Sequence, residues 1–231
     1  MHSLSGKTVL LTAGPTYEPL DPVRFIGNHS SGKMGYALAQ CFAEAGAAVV
    51  LISGPTHLSL DHPGVRVVLV RTAQEMYEAA RQEADRADIM VFAAAVADYR
   101  PKEVAPRKMK RTAEELTLRL VRNVDIAATL SSAKKPGQFT VGFALETDHA
   151  EAHARAKLLQ KNLDLIVLNS LQDSGAGFRH DTNKVTILDR ENTRIFDLKA
   201  KSEVARDIVE EIGQRYFTSG SAGGGARNFF P

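Results

Sequence analysis

The side chains of this chain best equipped for chemistry are cations and amides set among glycines. Thr12 to Gly35 reads TAGPTYEPLDPVRFIGNHSSGKMG and carries Arg24, Asn28 and Lys33 between an apolar run and a helical one. A second polar stretch holds Lys108, Lys110 and Arg111. Lys157 and Lys161 stand four apart and so share a helix face. Any one of these cations is by itself a solvated surface charge. Brought together over a glycine-lined crevice, they offset the charge on a transferring phosphoryl or nucleotidyl group.

Within the first stretch, Gly27 to Lys33 spells G-N-H-S-S-G-K, the spacing of a phosphate-binding P-loop. The last position of that motif supplies a hydroxyl to Mg²⁺, and Met34 has none. A P-loop also follows directly on a buried strand, whereas Pro19, Pro22 and Arg24 interrupt this approach. Both departures disfavour a P-loop ATPase or GTPase. Gly32 and Gly35 are read instead as opening a helix that packs closely, whose free N–H groups still attract anions.

These residues need a scaffold, and the chain supplies an alternating one. Thr8–Thr12 and Ala48–Ser53 read as strands, with a helix from Lys33 to Gly46 between them. Val65–Val70 is a further strand. Thr72 and Glu75 have capping-box spacing for a helix to Ala84. Asp88–Val96 is apolar throughout, which suits a parallel sheet covered on both faces. Asp98–Glu115 then breaks the pattern with Pro101, Pro106 and many cations, and reads as a long functional loop. Leu116–Val121, Phe139–Leu145 and Asp164–Asn169 read as strands, and Asp125–Ser132 and His149–Asn162 as helices. Lys184–Leu188 and Thr193–Leu198 form a hairpin, and Lys199–Phe217 a closing amphipathic helix. Thr218–Pro231 has linker composition and is expected to be a disordered tail, native or appended.

The order implies a doubly wound, mostly parallel Rossmann-like α/β sheet. Ligands of such sheets sit at the carboxyl ends of strands. Here those ends are Ala13–Thr16, Ala93–Tyr99, Phe143–Thr147 and Asn169 onward. A dinucleotide site needs G-x-G-x-x-G after the first strand and an acidic residue ending the second. Ala13-Gly14-Pro15-Thr16 and Leu51-Ile52-Ser53-Gly54 meet neither condition. Asp98 and Glu146 end apolar strands, where a carboxylate accepts from a base, ribose or ammonium, or simply caps the strand exit. His149 and His153 are four apart, but no third metal ligand accompanies them, and they are expected to face solvent.

Composition narrows the partners. A formal net charge of +2 gives no nucleic-acid-coating surface. No apolar run reaches the length of a membrane span, and the N-terminus lacks a signal-peptide core. The single cysteine, Cys41, cannot form an internal disulfide. It lies among Leu38, Phe42 and Ala45 on an apolar helix face, where packing is the expected role. A reducing cytoplasm is the expected compartment.

Four segments carry a resemblance: TAGPTYEPLDPVRFIGNHSSGKMG, AAAVADYRPKEVAPRKMK, VGFALET, and the run from Lys157 to Asn169, KLLQKNLDLIVLN. Together they resemble phosphopantothenoylcysteine synthetase, the synthetase part of the bifunctional bacterial coenzyme A biosynthesis flavoprotein, from about Lys7 to Phe217. The resemblance implies a ligase that joins 4′-phosphopantothenate to cysteine through an acyl-cytidylate, using CTP with Mg²⁺ or Mn²⁺. It implies that Asn28 engages the acyl-cytidylate and that Lys108 serves its formation. Arg24, Asn28, Ala94 and Ala95 fall on substrate positions. Gly14, Asp98, Lys108, Val124, Asp125, Ile126, Ala127, Phe143, Lys157 and Lys161 fall on CTP positions. Members commonly carry proline where Val124 stands, so the backbone there is expected to differ slightly. A homodimer is implied, with a flap of about residues 98–118 crossing to the partner, within a synthetase domain of residues 1–217. No flavin site is implied, because the decarboxylase of the bifunctional protein lies upstream, fused or separate. An ATP-using variant and a non-enzymatic nucleotide-sensing domain are the alternatives.

Overall fold

A computed structural model of the chain describes residues 2–110, 114–146, 148–170 and 182–221. The first half runs β1 (Thr8–Ala13), a ribbon of β2 (Tyr17–Pro19) and β3 (Phe25–Gly27), α1 (Lys33–Glu44), β4 (Ala48–Ser53), β5 (Val65–Leu69), α2 (Ala73–Ala84) and β6 (Ile89–Phe92). The second half runs β7 (Tyr99–Pro101), β8 (Leu120–Arg122), α3 (Ile126–Ser132), β9 (Phe139–Glu146), α4 (Ala150–Gln160) and β10 (Leu165–Ser170). It closes with β11 (Thr182–Asn183), β12 (Val185–Leu188), β13 (Thr193–Ile195), β14 (Lys199–Ala200) and α5 (Lys201–Ser221).

Among the described residues the main sheet has the order β13-β12-β10-β9-β6-β1-β4-β5. Neighbours from β10 to β5 pair parallel, and β12 and β13 add an antiparallel edge. The chain starts in the middle at β1, winds out to β5, then returns to β6 and winds the other way. That reversal leaves a crevice between the carboxyl ends of β1 and β6. The doubly wound, mostly parallel sheet expected from the sequence is therefore present.

Alternation along β1 shows why both faces are covered. Val9, Leu11 and Ala13 join the core under α1 and α5, while Leu10 joins the core under α2, α3 and α4. A Cβ on Gly35 would lie 2.4 Å from the Ala13 Cβ, so glycine lets α1 sit directly on β1. Thr72 and Glu75 form the expected capping box at the start of α2. Cys41 is buried in the core under α1, in the packing position its neighbours implied.

Elsewhere the structure departs from the pattern. The expected strand to Val96 ends at Phe92. Beyond it, the backbone turns its hydrogen bonds to the loop after β1: Ala95 N donates to Gly14 O at 2.8 Å and Ala97 N to Thr16 Oγ1 at 3.0 Å. The expected Leu116–Val121 strand is only Leu120–Arg122, paired with Tyr99–Pro101 as a ribbon at the base of the polar excursion. The ribbons β2–β3, β7–β8 and β11–β14 had no sequence signal, because strands of two or three residues are too short to show periodicity. The closing helix continues to Ser221, into the expected tail; residues 222–231, like Arg111 and Thr147, lie outside the described residues.

Candidate active site

Two chambers open at the crevice and share a wall. The first, about 520 Å³, lies on the side of α3 and α4. The second, about 560 Å³, lies on the side of α1 and α5. Both volumes suit small-molecule sites. Ala94, Val96, Asp98, Phe143 and Lys157 border both chambers. Molecules in the two chambers would therefore adjoin along these residues.

The floor of the first chamber is backbone held at a helix start. Asp125 caps α3 by accepting from Ala128 N at 3.0 Å, and Val124 to Ala127 line the chamber around that cap. Asn123 braces the run, its N–H donating to Asp98 O at 2.8 Å and its Nδ2 to Ala97 O at 2.7 Å. Arg100 Nη1 in turn donates to Asn123 Oδ1 at 3.1 Å and to Arg122 O at 2.7 Å. Lys157 and Lys161 bring positive charge from α4 and its C-terminal cap. Lys157 Nζ lies 2.5 Å from Glu146 Oε1, and Lys161 Nζ 3.0 Å from Asp125 Oδ2. Both pairs are partly exposed, so each contributes about 1 kcal/mol or less to stability, and its cost to break is small beside what a phosphate would return.

The second chamber is roofed by the glycine-rich loop. Gly32 caps α1 in the left-handed region, φ 75°, without a side-chain cap. The first turn of α1 carries no acidic residue, Lys33 N donates to Ser31 Oγ at 3.5 Å, and residues 30–35 line the chamber. Asn28 borders it too, its Nδ2 donating to the carbonyl of Val96 on the shared wall at 2.9 Å. At the far end Asn183 Nδ2 donates to Asn169 Oδ1 at 2.8 Å. Asn183 Oδ1 is buried with no hydrogen-bond partner, a state that costs about 1–3 kcal/mol when left unmet.

A buried carboxylate organises a third region. Asp21, 1% exposed, accepts from Val23 N, Arg24 N and the Arg24 guanidinium, and also from Met109 N at 3.1 Å. Arg24 Nη2 donates to Met109 O at 2.9 Å. The polar excursion is thereby tied to the β2–β3 turn. Burial pushes the Asp21 carboxyl up, but the hydrogen bonds from Arg24, Val23 and Met109 outweigh it and hold the group well below the usual carboxylate range.

This arrangement has a family. Residues 4–216 match the DNA/pantothenate metabolism flavoprotein C-terminal domain. The chain belongs to that family. It is 48% identical over 212 residues to the coenzyme A biosynthesis bifunctional protein CoaBC of Bacillus subtilis (strain 168), covering 90% of this chain and 52% of that one. A cysteine/cysteine sulfinic acid decarboxylase from an unknown prokaryotic organism is 50% identical over 210 residues, covering 90% of this chain and 58% of its own. The chain spans about half the length of the curated relatives it matches. A crystal structure of the C-terminal domain of CoaBC superposes with TM-score 0.78 at 43% identity, covering 92% of this chain and 98% of that domain.

For a member of this flavoprotein C-terminal domain family, most of the residues expected at the site do converge. Asp98, Phe143, Lys157, Lys161 and the run Val124, Asp125, Ile126 and Ala127 line the first chamber. Asn28, Ala94 and Ala95 line the second. Gly14 stands behind the wall: its carbonyl anchors Ala95, and its φ of 74° and tight contact with Gly54 require glycine. Arg24, in the β2–β3 turn, and Lys108, in the excursion tied to that turn through Met109, border neither chamber. His153 Nδ1 lies 3.6 Å from Glu146 Oε2, and no group of three His, Cys, Asp or Glu gathers among the described residues. Sequence reasoning missed Asp21, the Arg100–Asn123 brace and Asn183. Only the first had a signal, a carboxylate three residues before an arginine in a proline-bounded turn.

Proposed function

We propose that this chain joins 4′-phosphopantothenate to cysteine, with CTP as the activating nucleotide. The observation that carries the reading is a pair of adjoining chambers of similar size that share five lining residues. One chamber takes the nucleotide and the other the acyl substrate. The family match and the CoaBC C-terminal domain structure support the ligase class; the choice of CTP over ATP rests on the backbone run at Val124–Ala127. In the first step the pantothenate carboxylate attacks the α-phosphorus, an acyl–phosphate bond forms, and pyrophosphate leaves. In the second the cysteine amine attacks the acyl carbon, the amide forms, CMP leaves with the bond's electron pair, and one amine proton passes to solvent.

Each residue has a task in this scheme. Lys157 and Lys161 draw the triphosphate, and Phe143 and the α3 cap hold the nucleoside. Asn28, positioned by Val96 O, orients the mixed anhydride at the wall. Mg²⁺, or Mn²⁺, supplies charge neutralisation on the triphosphate. The residues fit an ion held mainly by phosphate oxygens and water, since no protein cage converges among the described residues and Asp98 alone is placed on the shared wall to join it. Arg24 and Lys108 complete a partner's site in a homodimer. Exposed Val23, Phe25, Tyr99, Val104, Leu116 and Leu118 around the clamped excursion support a protein contact there. A flavin-dependent decarboxylase, fused or separate, supplies the next step on the product. Among the described residues no helix is long and apolar enough to cross a membrane.

The test is pyrophosphate release from 4′-phosphopantothenate, cysteine and Mg²⁺ with CTP or ATP. Release with CTP is expected. Release with ATP alone transfers the reading to an ATP ligase, and silence with both nucleotides refutes it.

A further inference from the structure

We infer that the far end of the second chamber, where Asn183 meets Asn169, binds the amine of the amino-acid substrate. The inference rests on the ligase reading above and assigns a subsite within it. Two buried side-chain atoms among the described residues lack a hydrogen-bond partner, Ser131 Oγ and Asn183 Oδ1. Of these residues only Asn183 lines a chamber. Asn183 is therefore a buried residue at the chamber's edge whose oxygen has no partner, and a donor from a ligand would supply one.

The acceptor is also rigidly held. Asn183 is 4% exposed and sits in β11, paired opposite Lys199 of β14. Its Nδ2 is committed to Asn169, which stands at the carboxyl end of β10 opposite Leu145 of β9. That bond holds the amide in place and leaves its oxygen as the end without a partner.

The surroundings suit an amine that must attack rather than merely bind. A nucleophilic amine has to be unprotonated, and nearby positive charge lowers an amine's pKa. Lys33 and Lys201 line the same chamber, and the acceptor is a neutral amide rather than a carboxylate. An amide oxygen can hold an amine N–H without trapping the ammonium form. The same lysines give the amino acid's own carboxylate a cationic neighbourhood. Asn183 borders the second chamber alone. The amine therefore reaches the acyl carbon from the second chamber, while the nucleotide leaves into the first. Its lone pair forms the C–N bond, the C–O bond to the nucleotide breaks, and the surplus proton goes to water.

The test uses the full chain and two variants, Asn183→Leu and Asn183→Asp, with thermal melts to check folding. Formation of the acyl-nucleotide is read without cysteine; cysteine dependence is read at steady state. Asn183→Leu is expected to leave acyl-nucleotide formation unchanged and to raise the KM for cysteine about tenfold or more. Asn183→Asp, of the same shape, is expected to shift the pH profile of kcat/KM for cysteine to higher pH, because a carboxylate stabilises the ammonium; it carries the test if the leucine variant does not fold. An unaltered cysteine KM and pH profile, or a loss falling on the acyl substrate instead, overturns the subsite while leaving the ligase reading standing. A wild-type chain that forms no acyl-nucleotide overturns the ligase reading and the subsite with it.

Discussion

Replacing Gly35 by alanine tests whether the close seat of α1 on β1 builds the second chamber. The added Cβ would meet Ala13 Cβ at 2.4 Å and Ala13 Cα at 3.2 Å. Carbon atoms in contact prefer about 3.5–4.0 Å, so α1 must lift by roughly 1 Å. Neither neighbour can swing aside, because one is a methyl on the backbone and the other is backbone itself. A gap of that size forfeits a quarter to a half of the attraction along the lifted face, and α1 touches β1, β4 and α5. Overpacking of this kind costs about 1–3 kcal/mol, and the rigid contact argues for about 3. At about 2–4 °C per kcal/mol for a chain of this size, Tm falls by roughly 6–12 °C. Met34 and Gly35 line the chamber, so the affinity for the acyl substrate falls as well. Scanning calorimetry and acyl-nucleotide formation, both run beside Gly137→Ala, provide the assay. Gly137 has open space for a Cβ and only its φ of 85° to strain, so its change should cost about 1 kcal/mol and leave the site intact. A Gly35→Ala chain melting within a degree of wild type with normal substrate affinity would refute the packing argument.

Three further outcomes are expected. Asn28→Ala should accumulate acyl-nucleotide and convert it slowly, whereas Lys108→Ala should stall before it; quench-flow showing the reverse order would sink both assignments. Asp21 has a carboxyl held low by its donors, so its stabilisation is complete above the ordinary carboxylate range and is lost as pH falls below about 4. Asp21→Asn should lower the urea midpoint at pH 7 and flatten its fall between pH 5 and 2; a parallel curve would remove the carboxylate from the clamp. Burial pushes the Cys41 thiol up to about 11. Iodoacetamide at pH 7.5 should therefore label it at least about a hundredfold more slowly than free cysteine until the chain unfolds, and fast labelling would contradict its buried place.

Fold class was legible because periodicity and capping are local. The continuous apolar run from Asp88 is what a strand buried on both faces requires, and Thr72 with Glu75 is a cap written in four residues. Ligand-facing positions followed from the same reasoning: strand ends of a doubly wound sheet meet at one crevice, and Asp98, Phe143 and Ala94 arrive there from two strand ends. The near-miss P-loop was also resolved locally, since Met34 lacks the hydroxyl and Gly32 and Gly35 serve the start and seat of α1.

What no local pattern could supply is pairing between distant segments. Asp21 and Met109 are joined by a hydrogen bond across 88 positions, and that bond ties the turn that carries Arg24 to the excursion that carries Lys108, with neither residue bordering a chamber. Asn183 meets Asn169 only because β11 pairs with β14 and β10 lies beside β9. Its unpartnered oxygen exists only once the surrounding chain has removed water from it. By itself the sequence determined the elements, the crevice and the charge brought to it, because those depend on neighbours within a turn or a strand. Tertiary structure alone decided that the crevice is two chambers with a common wall, because a wall is made of side chains that meet only after the sheet has closed its register.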